Sequence, residues 1–158
     1  MLFLLGGNDL EMQTIKDILK SNNIEYIDKK LSWGAKLSDY KNELKHMGII
    51  YGIELEEDIT PPKNYISIDH HGENNHLESS LEQIAKILDL ELNRHQFLVA
   101  KNDSNYIKGM QSICTTKEEI NLIRAMDRKA QGATPEDEAL AIKSTNLSKV
   151  AQFTSLNA

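Results

Sequence analysis

The chain has 158 residues, 40% hydrophobic and 27% charged, which predicts one globular domain with a real core and counts against a second full domain. Its formal net charge of −6 argues against broad binding to duplex nucleic acid, but not against a small phosphorylated ligand held through a divalent ion. The lone Cys114 excludes an internal disulfide and suits a reducing cytoplasm, which is the expected location.

Leu2 to Leu5 form an unbroken apolar run, as expected of a strand covered on both faces. The run has no basic flank and stops at Gly6-Gly7, so it is too short for a signal peptide or a membrane span. Gly6-Gly7-Asn8-Asp9 reads as a turn into a helix carrying Leu10, Ile15, Ile18 and Leu19, which Ser21-Asn22-Asn23 ends. A second strand is expected over Ile24 to Ile27. Residues 35–47 read as moderately helical through Leu37, Tyr40 and Leu44, with Gly48 as the stop.

Ile49 to Ile53 is β-rich, Pro61-Pro62 breaks the chain, and Tyr65 to Ile68 is the next strand. Leu77, Leu81, Ile84, Ala85 and Leu88 then mark an amphipathic helix, and no strong strand signal follows. Thr134-Pro135-Glu136-Asp137 looks like a helix start, with a capping hydroxyl and a proline at the first position. The expected class is α/β, a mostly parallel sheet flanked by helices and followed by an all-helical C-terminal segment. The domain is expected to span 1–142. Residues 143–158, rich in Ser, Thr and Asn, are expected to form a weakly ordered tail.

Chemistry-bearing residues gather behind the strands. Asp9 and Glu11 follow the first strand, Glu54 follows the Ile49–Ile53 run, and Asp69-His70-His71 follows Tyr65–Ile68. Asp103 lies in the helical stretch Ala100-Lys101-Asn102-Asp103. In an open parallel sheet the carboxyl ends of the strands share one edge, and ligands bind along it. Carboxylates mixed with imidazoles suit Mn²⁺ or Mg²⁺ better than a thiolate metal site. Taken alone, Asp69-His70-His71 reads equally as a polar turn.

Gly7-Asn8-Asp9-Leu10-Glu11, Glu54, Asp69-His70-His71 and Asp103, in that order, resemble the four motifs of the DHH phosphoesterase family. The family includes family II inorganic pyrophosphatases, single-strand exonucleases, nano-RNases and cyclic-dinucleotide phosphodiesterases. The resemblance covers about residues 1–130. It implies two-metal hydrolysis of a small phosphoester, phosphoanhydride or short oligonucleotide, at a two-metal site for Mn²⁺ or Mg²⁺ with one or both positions filled. Asp9, Glu11, Glu54, Asp69, His70 and Asp103 would be the metal-site residues, with His71 facing the phosphate and Asp69 orienting the two imidazoles.

This sequence departs from the family at three points. Gly7 or Asn8 stands where the first motif has a histidine, and glutamates replace aspartates at 11 and 54. No glycine-rich substrate domain is apparent after Asp137. Two expectations follow: a truncated version of the family protein, or a chain whose metal edge a partner or second copy covers. The competing reading is a non-catalytic DHH-fold interaction module that binds metal or ligand weakly. A third is a nuclease subunit that binds nucleic-acid ends.

Arg124 and Arg128, four apart on one helix face, and Lys108 are the candidate phosphate contacts. The plainer reading makes the two arginines surface partners of Asp127 and Glu118, since charged helix faces are usually solvated. Trp33 and Tyr106 are expected to pack, His46 and His95 to lie on the surface, and His76 to cap or precede the Leu77 helix. Asn102, Ser104 and Asn105 are expected to serve only loop backbone.

Overall fold

Four short strands carry the first half of the chain: β1 (Leu2–Leu5), β2 (Tyr26–Asp28), β3 (Ile50–Ile53) and β4 (Tyr65–Ile68). All are parallel, in the order β2-β1-β3-β4. The computed structural model describes residues 1–134, 136, 137, 139, 140 and 143. Apart from Lys143, the stretch expected to be a tail lies outside the described residues, as does Pro135 of the expected helix start. Thr134 is described, and its hydroxyl accepts from the Asp137 N–H at 3.2 Å, as a capping residue does.

β1 and β3 are buried at every residue, which their unbroken apolar runs require. Alternation sends Phe3, Leu5, Tyr51 and Ile53 to one face and Leu2, Leu4 and Ile50 to the other. The Phe3 and Tyr51 rings stack across the two strands at 4.8 Å. On the first face lie α1 (Leu10–Ser21), α2 (Ser80–Ile87), α3 (Arg94–Gln111) and α4 (Lys117–Ala130). The helix expected from Leu77 begins later, because Ser79 caps it, and Leu77 is left outside and exposed. No strand follows β4 among the described residues.

The second face has no α-helix among the described residues. It is covered by Ala35, Leu37, Tyr40 and Leu55, carried largely by two 3₁₀ turns at Leu37–Tyr40 and Glu43–Lys45. The sequence reads as moderately helical here. Leu37 and Tyr40 are three apart, however, and a three-residue turn stacks such a pair on one side. Tyr40 is fully buried and donates its hydroxyl to the Leu5 carbonyl at 2.6 Å, so its polar end is satisfied inside the core.

β1 has β2 on one side and β3 on the other, so the order reverses beside β1 and opens a crevice beyond the carboxyl ends of β1 and β3. Gly6 sets how tightly that crevice closes. A Cβ at Gly6 would lie 2.4 Å from the carbonyl oxygens of both Ile53 and Glu54. Only a bare backbone lets the β1–α1 turn pass so close to the end of β3. Gly6→Ala should therefore push the two turns apart and cost about 1–3 kcal/mol. Urea unfolding would measure it, and an unchanged midpoint would mean that the close approach is not needed.

Candidate metal centre

Asp9 ends the β1–α1 turn as the cap of α1, its Oδ1 accepting from the Met12 N–H at 2.8 Å. Its other oxygen faces the crevice. A Cβ placed on Gly7 would sit 3.7 Å from Asp9 Oδ2 and 3.4 Å from Glu54 Oε2, so these two carboxylates flank one small space. Glu11, in the first turn of α1, is buried and points to α2. Its Oε1 accepts from the Leu81 N–H at 3.0 Å, and its Oε2 is buried without a hydrogen-bond partner.

Glu54 follows β3 with φ of 52°, a left-handed conformation that costs a non-glycine residue of order 1 kcal/mol or more. After β4, His70 turns inward and His71 outward, with their rings tilted against each other at 4.2 Å. His70 Nδ1 lies 3.2 Å from Ser80 Oγ and 3.8 Å from Glu54 Oε1. Asp69 Oδ1 accepts from the His71 backbone N–H and meets His71 Nδ1, both at 2.9 Å, which fixes the second imidazole and leaves its Nε2 available.

Asp103 arrives from α3. Its Oδ2 forms a 2.7 Å ion pair with His70 Nε2; both atoms are shut off from solvent, and their alignment falls short of a straight hydrogen bond although the contact raises the His70 pKa. Buried polar atoms are normally paired, and a lone His–Asp ion pair would align its N–H with the carboxylate. An imidazole nitrogen and a carboxylate oxygen held this close and away from solvent are also two atoms that could serve one ion. One ligand atom from each of Glu54, His70, His71 and Asp103 lies within 4.8 Å of every other. This group, with His70 buried, Glu54 and Asp103 half-buried and His71 exposed, can bind a metal ion.

Electrostatics support a cation at this edge. Burial, then the Asp9 and Asp103 carboxylates, push the Glu54 pKa from 4.5 up to about 7, against weaker opposing effects of His71 and a hydrogen bond from Ser80. Burial, then Asp103 and Glu54, hold Glu11 well above its ordinary value, although Leu81 and Ser79 hydrogen-bond it. Burial raises Asp9, the Met12 N–H opposes this, and Asp103 and Asp127 add to the rise. For His70, burial acts downward and is outweighed by Asp103 and Glu54, so its pKa is raised.

Of the expected metal residues, Glu54, His70 and Asp103 therefore meet in one group, and His71 joins them. Asp9 borders it, Glu11 braces α2 beside it, and the Asp69 carboxylate acts on His71. Arg124 is held by Asn102 Oδ1 at 3.1 Å and Asp127 Oδ2 at 2.9 Å, with its guanidinium 5.2 Å from the Tyr106 ring centre. Arg128 is half-buried one turn on and has partners of its own. Lys108 is exposed on α3, beyond a backbone break at Asn105 and Tyr106.

Several expectations need correction. Trp33 is 96% exposed instead of packed, because its loop stands off the sheet. Tyr106 is also exposed, thrown outward by its φ of 50° at the α3 break. Asp127 is buried, not a surface partner, and accepts from Asn102, Arg124 and Gln131. Asn102 is likewise a buried bridge between Arg124 and Asp127, because α3 and α4 close over both. Ser79 and Ser80 received no role from the sequence; the Ser79-to-Glu82 capping-box spacing was the signal that marks the helix end to which they belong.

A groove of about 430 Å³, lined by Leu10, Asp17, Leu92 and Met126 among others, shares no residue with the ligand group. No family model matches the chain, and no curated protein or solved structure matches it. No described helix is long and apolar enough to cross a membrane.

Carboxyls whose pKa values rise on folding keep protons that the unfolded chain has released, so stability falls as pH climbs through that window. A raised histidine acts in the same direction. With chelator present, the melting temperature should fall steadily between about pH 5 and 8, and a flat or rising profile would contradict the electrostatics described.

Proposed function

We propose that the chain is a DHH-type, metal-dependent phosphohydrolase domain acting on a small phosphoester, phosphoanhydride or short oligonucleotide. The observation that carries the reading is the buried pair of His70 Nε2 and Asp103 Oδ2, 2.7 Å apart, within a group completed by Glu54 and His71. In support, three of the four motif positions that resemble the family come from the carboxyl ends of β1, β3 and β4, and the fourth is brought to the same edge by α3.

The donor set fits a hard or borderline divalent ion. Two imidazoles favour Mn²⁺ over Mg²⁺, which prefers oxygen ligands throughout. Glu54, His70, His71 and Asp103 would hold the ion, with Asp9 bordering the same space. When bound, such an ion lowers the pKa of a coordinated water and neutralises phosphate oxygens, and a pair of ions does so on both sides of the phosphorus. Asp69 fixes the His71 ring so that Nε2 serves either the ion or a phosphate oxygen. Arg124, Arg128 and Lys108 are the candidate cations for the remaining phosphate charge, Arg124 being already oriented by Asn102 and Asp127. A cytoplasmic setting, and a second copy or partner over the open edge, belong to the same proposal.

The second reading is a non-catalytic module of the same fold. It is favoured by the absence of an imidazole at Gly7 and by the engagement of Glu11 with the Leu81 N–H.

Mn²⁺ should raise the melting temperature, with about 2.7 kcal/mol of stabilisation at a free-ion concentration a hundred times Kd. Asp103→Asn should weaken binding at least about tenfold. Gly7→His, whose side chain would enter the space between Asp9 and Glu54, should tighten it. No response to Mn²⁺ in calorimetry would end the metal reading. Pyrophosphate, a linear dinucleotide and a cyclic dinucleotide should then be assayed with metal bound, and turnover of at least one is expected. Silence on all three would favour the non-catalytic module.

A further inference from the structure

Ser80 is fully buried, yet it is not the residue that caps α2; Ser79 has that role. Ser80 occupies the first helical position, and both of its polar groups face His70. Its Oγ lies 3.2 Å from His70 Nδ1, and its backbone N–H lies 3.3 Å from the same nitrogen.

These two contacts require opposite forms of the neutral ring. The Ser80 N–H donates to Nδ1 in this structure, which leaves that nitrogen bare and puts the ring proton on Nε2. If Nδ1 carries the proton and donates it to Ser80 Oγ, then Nε2 is bare. Only the second form offers a lone pair on the nitrogen that faces Asp103. A metal-bound histidine nearly always donates its other ring N–H to an oxygen, and that partner fixes ring and tautomer. Among the bonds described for His70, Ser80 Oγ is the oxygen placed to receive it.

The Ser80 hydroxyl has a second duty. Once its oxygen accepts from Nδ1, its hydrogen is free for an acceptor, and Glu54 is the group it hydrogen-bonds. A chain His70 Nδ1–H to Ser80 O–H to the Glu54 carboxylate thus ties ligands from the ends of β4 and β3 to the first turn of α2.

We infer that Ser80 is a positioning residue of the metal centre: its hydroxyl selects the His70 tautomer with a bare Nε2 and orients Glu54 at the same time. The inference rests on the metal reading above and adds a residue with no ligand atom in the group.

The test uses the full chain. Wild type labelled with ¹⁵N-histidine and loaded with Zn²⁺, a diamagnetic probe, should show the His70 ring proton on Nδ1 and metal on Nε2. A proton on Nε2, or metal on Nδ1, would overturn the inference. By calorimetry, Ser80→Ala should bind Mn²⁺ about 10–100-fold more weakly while its metal-free circular dichroism stays native. Ser80→Thr, which keeps the hydroxyl, should restore affinity toward wild type. Ser80→Ala binding Mn²⁺ as tightly as wild type would overturn the inference while leaving the metal reading intact, whereas a wild type that binds neither ion overturns both. If the alanine variant does not fold, the ring-nitrogen measurement on wild type decides alone.

Discussion

Asp9, Glu11, Glu54 and Asp103 are crowded against one rim of the sheet, and their mutual repulsion is the constraint around which this part of the molecule is organised. Two like charges about 4 Å apart cost about 4 kcal/mol at an effective dielectric constant of 20, and burial adds to the cost. The fold answers with local donors. Met12 N–H reaches Asp9, Leu81 N–H reaches Glu11, and the His70 ring lies against Asp103. The amino end of α2 contributes two of its first N–H groups, Leu81 to Glu11 and Ser80 to His70 Nδ1. Glu11 Oε2 stays buried without a partner and the His70–Asp103 pair is poorly aligned, and a divalent cation would turn the same crowding into attraction.

The architecture explains why these groups meet. Parallel strands deliver all their carboxyl ends to one side, and the order reversal beside β1 opens space there. Gly6 keeps the β1–α1 turn pressed against the end of β3, and Glu54 takes a left-handed backbone at the contact. α3 then crosses the helical face and brings Asp103 to His70. Behind Asp103, buried Asn102 and Asp127 lock α3 to α4 through Arg124, so the last acid is braced from below.

Much of this arrangement was legible in the sequence, where local pattern carries the information. The apolar runs at 2–5, 50–53 and 65–68 gave strands, the Gly-Gly-Asn-Asp turn gave a capped helix, and the acids behind the strands pointed to one edge. Partners far apart in the chain were not legible. Glu11 bonds an amide 70 residues away, so nothing near it announces that its Oε1 braces α2. Asp127 looked like one more charge on a polar helix until α3 closed over it. The exposure of Trp33 and Tyr106 follows from loop and kink geometry, which residue type does not encode. The 3₁₀ turns at 37–45 escaped because Leu37, Tyr40 and Leu44 suit either kind of helix until the sheet face they cover is known.

The central claim is that His70 Nε2 and Asp103 Oδ2 approach each other to share a cation. Crystals grown with Mn²⁺ and measured at the manganese absorption edge test it most directly. The account predicts an anomalous peak bonded to both atoms and to Glu54. A structure with no peak there, and with a straight hydrogen bond joining His70 to Asp103 in the presence of the ion, would contradict it.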